Sequence, residues 1–427
     1  MGTSANEGPS LRLSDRRVVI ALSTLLWAAV GGLAWQLVPR TTGGTAPATA
    51  APAASTPRPP ALNSGAGAAP GTTASTLSPA PETAPHVDLT RLPASTAAAR
   101  QLVQGLWDRR GATAAMSEEE KKRWLENWQH LLEAGESALP ALAEYLRSDQ
   151  DTFFTDADSG PLGFRSAREA VIDALAILGG DAATAVMADA LAMTASPREV
   201  ALLASALEKN APDAYRNEWM QAVRESLEMA SSRQLGSLDV APLFAVLQRY
   251  GGPEAVTDLE RAAGRWGPYA TIALATLPED AGVPTLLQMA DPPHGSRPHT
   301  ARLQALQAVA QLAGTNDAAR QTLVEQARSN RIPPNLWPYL TRPLAGQQAH
   351  FLNPVLEERP APTSDPRIST VHLAGTNQNL YWARPDEGLS ADQMARRTTL
   401  IAELRAATDS PEAHRVLDQS EALLGQP

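Results

Sequence analysis

The sequence predicts an all-α chain: a solenoid of helical hairpins behind a single transmembrane helix and a disordered linker. Three observations carry this expectation. Val18–Val38 is a run of twenty-one residues without a charge. Residues 39–95 are dominated by Ala, Pro, Thr, Ser and Gly. From 96 to 330, apolar residues recur every three or four positions, in paired blocks that resemble one another.

The apolar run is long enough to cross a bilayer, whose hydrocarbon core needs about 20 residues at the helical rise. Arg12, Arg16 and Arg17 precede it, and Arg40 alone follows closely. The positive-inside rule then keeps residues 1–17 in the cytoplasm and sends the rest across the membrane. Trp35, near the far end of the span, suits the interface. A cleaved signal peptide is the rival reading, with Gly32-Leu33-Ala34 or Ala48-Thr49-Ala50 as small-residue cleavage sites. The length of the run favours retention. Ser14-Asp15-Arg16-Arg17 suggests a twin-arginine signal, but the residues after the pair fit it poorly.

The segment 39–95 has almost no large apolar side chain to bury, so no core offsets its chain entropy. Fully extended at ~3.1 Å per residue it would reach roughly 175 Å; as a flexible coil it would average ~40 Å. It reads as a spacer that holds the folded part off the membrane.

From 96 to 330 the helices come in pairs. In the segment ending near Ala313, Leu303, Leu306, Val309, Ala310, Leu312 and Ala313 form one stripe, and Gln304, Gln307 and Gln311 lie opposite. Ser117-x-x-Glu120 and Ser196-Pro197-x-Glu199 fit capping boxes. Gly179-Gly180, Gly251-Gly252-Pro253 and Pro278 are stop signals. Six hairpins are expected, near 118–148, 166–194, 197–230, 238–264, 266–290 and 300–328. ALAILGGDA (174–182) matches ALATLPEDA (273–281) at six of nine positions. AREAVIDALAILGG (167–180) matches ARLQALQAVAQLAG (301–314) at six of fourteen. By these comparisons Ala273 and Ala308 lie 35 residues apart, a period typical of stacked helical hairpins.

Over roughly 118–330 the chain resembles the HEAT-like repeat family, including its bacterial short-helix variety. ALPALAEYL (138–146) and GVPTLLQMA (282–290) look like its second helices. The segments opening on Ala167-Arg168 and Ala301-Arg302 look like its first helices, with the arginine early. The resemblance implies a right-handed superhelix that serves as a scaffold or adaptor for a protein partner. In that family the second helices line the inner curve. Glu225, Glu228, Asp258, Arg261, Glu325 and Arg328 are accordingly expected as exposed partner contacts. A few relatives handle bilin chromophores, but no bilin motif is present here.

Residues 331–389 are richer in proline and read as an irregular strap. VHLAGTNQNLYWARP (371–385) contains a β-like turn around Gly375-Thr376-Asn377, with Tyr381 and Trp382 as apolar anchors. Residues 390–427 read as a helical hairpin, capped by Ser390-x-x-Gln393 and started by Ser410-Pro411. It would close the open end of the stack.

Composition narrows the function. The net charge of −10 argues against a nucleic-acid partner. With no cysteine, thiolate metal sites, cysteine nucleophiles and disulfides are excluded. No nucleophile elbow, HExxH pair or phosphate-cradling loop is present, so no catalytic site and no cofactor are expected. Asp156-Ala157-Asp158-Ser159-Gly160 fails as an EF-hand, because position 6 is Pro161 and position 12 is Ala167. A looser calcium site with Asp149 and Asp151 is the alternative to a solvated loop. Phe153 and Phe154 beside it would either cap a groove or dock on the core. His294 and His299 lack a third imidazole, and Asp291 is the nearby carboxylate. Trp124 with Trp128, and Tyr215 with Trp219, Val223 and Leu227, fall on single helix faces and read as core. An enzyme using the solenoid groove, lyase-like or metal-assisted, is the alternative function. A secreted repeat protein released by signal cleavage is the third.

Overall fold

The computed structural model describes residues 93–107, 114–148, 150–236, 238–292, 299–351, 369–372, 379–385 and 388–425. These belong to one compact unit, Leu77–Pro427. The expected membrane span at 18–38 and nearly all of the expected linker lie outside the described residues. Among the described residues, no helix is long and apolar enough to cross a membrane.

The described chain is all-α with one small sheet. α1 (Ala97–Trp107) is followed by α2 (Glu118–Ala134) and α3 (Leu139–Arg147). A short helix α4 (Asp156–Leu162) precedes the pair α5 (Ala167–Leu178) and α6 (Gly180–Met193). Next come α7 (Pro197–Asn210), α8 (Arg216–Ser231), α9 (Ala241–Tyr250) and α10 (Ala255–Ala275). Then follow α11 (Val283–Ala290), α12 (His299–Leu312) and α13 (Asp317–Arg328). From α5 to α13 most helices pack on the next helix and the next but one: α5 on α6 and α7, α6 on α7 and α8, α10 on α11 and α12. One apolar cluster runs through all of them, from Ala99 to Leu424, because every helix buries one stripe.

Local chemistry explains the element limits. Ser117 and Glu120 form both halves of a capping box at the start of α2. Ser390 and Gln393 do the same for α15 (Ala391–Ala407), and the Ser410 hydroxyl caps α16 (Pro411–Leu424). Ser196 differs from the expectation. Its hydroxyl makes no cap bond, and Glu199 is drawn away into a bidentate pair with Arg168 at 2.9 and 3.0 Å. A guanidinium from a neighbouring helix outcompetes a neutral N–H for that carboxylate. Gly179 ends α5 at φ 62°, in the left-handed region that a glycine enters without a steric penalty.

The expected hairpins 238–264 and 266–290 meet inside α10. The helix is continuous in hydrogen bonding but breaks at Trp266, where φ is −111° and ψ is 36°. Pro268, two residues on, has no N–H to give to the ladder, which accounts for the kink. α10 is thus the second helix of one hairpin and the first of the next.

The region read as an irregular strap contains regular structure. A 3-10 helix at Pro334–Leu340 leads into α14 (Thr341–Leu344). Three strands follow, β1 (Gln348–Phe351), β2 (Ser369–His372) and β3 (Asn379–Ala383), in the order β1-β3-β2 with antiparallel pairing. β2 and β3 pair in the register Val371↔Leu380, and the turn residues 375–377 between them lie outside the described residues. Tyr381 and Trp382 on the central strand are both buried. Phe351 anchors the sheet edge-on to Tyr269 of α10, with ring centroids 5.4 Å apart. α15 then packs on α13, and α16 on α14 and the 3-10 helix.

Candidate functional site

The side chains expected to meet a partner sit on three helices. Glu225 and Glu228 lie on α8, Asp258 and Arg261 on α10, and Glu325 and Arg328 on α13. Five of them are exposed. Glu225 accepts a hydrogen bond from Gln221 at 2.7 Å, and Arg328 donates to Glu325 at 2.9 Å. These are exposed local bonds, each worth under ~1 kcal/mol, and a partner can exchange them at little cost.

Asp258 departs from the expectation of an exposed contact. It is 7% exposed, and its carboxylate is held by Arg224 at 2.9 Å and Arg261 at 3.0 Å. A buried carboxylate must be paired to stay ionised, so both oxygens are committed. The consequence is structural. Arg224 of α8 and Asp258 of α10 tie together the helices that carry Glu225, Glu228 and Arg261.

Glu325 and Arg328 line a different surface, an open groove of about 640 Å³ between α13 and α15. Asp317, Arg320, Val324 and Glu403 complete the groups that matter there. Arg320 grips Glu403 through two bonds, Nε to Oε2 at 2.9 Å and Nη2 to Oε1 at 2.6 Å. The hydrogen bond to Glu403 raises the guanidinium pKa, and the same bond lowers that of the Glu403 carboxyl. Alternating charges around an apolar floor of Val324, Ala406 and Ala407 suit a polar protein surface. Arg320 and Glu403 were not legible as site residues, because 83 residues separate them and no local pattern marks either.

Several of the other sequence candidates have structural roles. Asp156–Leu162 is a helix rather than an open acidic loop. Asp158 is 2% exposed; it accepts from the Met116 N–H at 2.9 Å and the Thr155 hydroxyl at 2.7 Å, with Lys121 Nζ at 3.6 Å. Asp151 accepts from the N–H groups of Thr152 and Arg168 at 2.8 and 3.1 Å. Burial raises its pKa against those bonds. Asp149 and His294 lie outside the described residues, and His299 opens α12. Among the described residues, no three His, Asp or Glu side chains gather as a metal site.

Phe154 docks edge-on against Trp124 at 5.3 Å, whereas Phe153 stands 77% exposed. Trp124 is buried and donates to the Leu106 carbonyl at 3.0 Å; Trp128 reaches the Ala170 carbonyl at 3.3 Å. Tyr215, Trp219, Val223 and Leu227 are all buried. No protein-family model matches this chain, and no curated protein is significantly similar to it, so its function must be argued from this geometry.

Proposed function

We propose that this chain is a membrane-anchored, extracytoplasmic scaffold whose HEAT-like solenoid grips a protein partner. The observation that carries the reading is the spacing of the bonds that link successive hairpins. Arg224 to Asp258 spans 34 residues, Arg265 to the Ser231 carbonyl 34, Arg216 to the Gly251 carbonyl 35, and Asn210 to the Ala176 carbonyl 34. That spacing agrees with the 35-residue period of the sequence matches. The first three join α8 to the α9–α10 hairpin and the fourth joins α7 to α5; hairpins offset by one period would stack, and a stack presents a long, shallow surface. The anchor at 18–38 and the leash at 39–95 support a role at the membrane, where tethering raises the local concentration of both partners.

The contacts in this reading fall on two surfaces, Glu225, Glu228 and Arg261 on one and Glu325 and Arg328 on the other. In-cell crosslinking of the full-length protein, followed by mass spectrometry, will find one recurrent partner joined to α8, α10 or α13. Charge reversal at these five positions is expected to abolish those crosslinks while leaving the circular dichroism spectrum unchanged. Crosslinks that survive the reversal would remove these surfaces from the proposal. Cell fractionation with a determination of the mature N-terminus tests the anchor: recovery in the soluble fraction with residues 1–38 missing would overturn it.

A further inference from the structure

A second concavity is lined by residues of α10, α12, the 3-10 helix, α14, β1, β3 and α16. Its volume is about 420 Å³, within the range of about 300–1,000 Å³ typical of small-molecule pockets. Ile272 of α10, Leu303 and Ala308 of α12, and Leu380 and Trp382 of β3 give it apolar walls. Tyr339, half-exposed, stands among the lining residues as an amphipathic one.

Most of the polar groups in its lining are already engaged. Gln311 accepts from the Ala349 N–H at 3.2 Å, Gln307 donates to the Tyr339 carbonyl at 3.1 Å, and the Thr271 hydroxyl bonds to the Gly267 carbonyl at 2.9 Å. Arg342 is different. Arg342 is among the lining residues, and among the described residues its side chain has neither an ion pair nor a hydrogen-bond acceptor. Nη1 is closed off from solvent without a partner. Burial alone moves the Arg342 pKa, downward, with no neighbouring carboxylate opposing it. A half-buried cation without a protein partner has lost part of its hydration, and an anion beside it offsets that loss.

We propose that this cavity binds a small amphipathic monocarboxylate, its carboxylate on Arg342 and its apolar body against Ile272, Leu303, Leu380 and Trp382. The guanidinium fork matches a carboxylate in geometry as well as charge. A single cation among apolar walls suits one negative charge; a phosphate would leave further oxygens without donors. This site is separate from the charged groove between α13 and α15, and it stands or falls independently of the partner reading.

The test is calorimetric titration of the full-length chain in lipid nanodiscs, with empty nanodiscs as the reference. The probes are 2-naphthoate and its uncharged analogue 2-naphthamide. The carboxylate is expected to bind about tenfold or more tighter than the amide, as a charge-assisted pair requires. Arg342→Gln is expected to erase that advantage and leave amide binding unchanged. Arg342→Lys should keep part of it. Ala275→Phe, which fills the cavity from α10 without touching the charge, is expected to abolish binding of both. Arg342→Gln removes a half-buried charge that no carboxylate pairs, so the fold is expected to persist, and circular dichroism checks it. Equal binding of the two probes by the folded wild type, carboxylate binding unaffected by Arg342→Gln, or no saturable carboxylate binding would each overturn the proposal.

Discussion

Arg168 is the second residue of α5 and Arg302 the fourth of α12; Arg168 reaches back to α3 and Arg302 to α11. Arg168 donates from Nη1 to the carbonyls of Leu146 and Ser148 at the end of α3, at 3.1 and 2.9 Å. Arg302 donates from Nε to the Ala290 carbonyl, the last of α11, at 3.1 Å, and from Nη2 to Arg331. Each puts a positive charge where orphan carbonyls and the helix dipole are negative. Arg168 also carries Glu199, and both side chains are largely buried. Arg168→Ala would leave that carboxylate and two carbonyls unpaired, so it should cost ~3 kcal/mol in urea denaturation. Arg168→Lys is expected to recover only a minor part, because an ammonium cannot form the two-toothed bond. Asp173 on α5 behaves in the opposite sense. Burial lifts its pKa above the usual aspartate range, and Lys209 opposes the shift only in part. The folded state therefore holds this proton at a pH where the unfolded chain has lost it. Its ionisation lowers stability as pH rises through the folded pKa. Asp173→Asn is expected to be the more stable protein at pH 7, by about 1 kcal/mol. The difference should shrink as pH falls towards the ordinary aspartate value of about 3.9. Denaturation midpoints at neutral and mildly acid pH check both statements.

The turns between helices were legible at the level of the element where glycine or proline sets the chain direction. Gly179-Gly180, Gly251-Gly252-Pro253 and Pro278 all fall between helices or at their ends. Even the break in α10 lies at the expected join between two hairpins. What failed was chemistry decided across helices. Ser196 carries the pattern of a capping box, but Glu199 faces Arg168, which is 31 residues away. Asp258 reads as an exposed acid on a second helix until Arg224 of α8 is placed beside it. β1 was illegible because the alternation in QAHF runs for only four residues, and its pairing with β3 is dictated by the partner strand. Close approach of two helices is another such property, and Gly282 shows it. Its φ of −84° is open to any residue. A Cβ there would lie 2.1 Å from the Leu274 carbonyl oxygen near the end of α10. The obstacle is backbone, so the helices must separate, and Gly282→Ala is predicted to cost ~2–3 kcal/mol. Gly264, in the exposed part of α10, has nothing within 4 Å of its would-be Cβ. Gly264→Ala should be neutral or stabilising by under ~1 kcal/mol. Equal effects of the two substitutions on the thermal midpoint would contradict the close-approach argument.

At the scale of the molecule, the C-terminal pair α15 and α16 completes the packing that the last hairpin leaves open. Leu400, Ile401 and Leu404 of α15, with Val416 and Leu417 of α16, are fully buried. Arg397, 3% exposed, donates from Nη1 to the Pro343 carbonyl at 2.7 Å and from Nη2 to the Gln311 carbonyl at 2.9 Å. One side chain thus pins α15 to the ends of both α12 and α14. Burial lowers its pKa to about 10, which leaves it charged at neutral pH. Each of the five apolar side chains contributes ~1.5–3 kcal/mol by its burial. Removing residues 390–427 would therefore cost an amount comparable to the ~5–15 kcal/mol that holds a typical domain together. In a molecule whose core is all-or-none, such a truncation unfolds everything. The stack of neighbour-bonded hairpins proposed above would respond differently, because each unit would depend mainly on those beside it. The truncated chain is accordingly expected to lose hydrogen-exchange protection in α12, α13 and the 3-10 helix at Pro334–Leu340, while α2, α3, α5 and α6 stay protected. It should also self-associate in sedimentation velocity, through the apolar face uncovered on α13 and α14. Uniform loss of protection from α2 to α13 would show that the hairpins stand or fall together, which a repeat architecture does not allow.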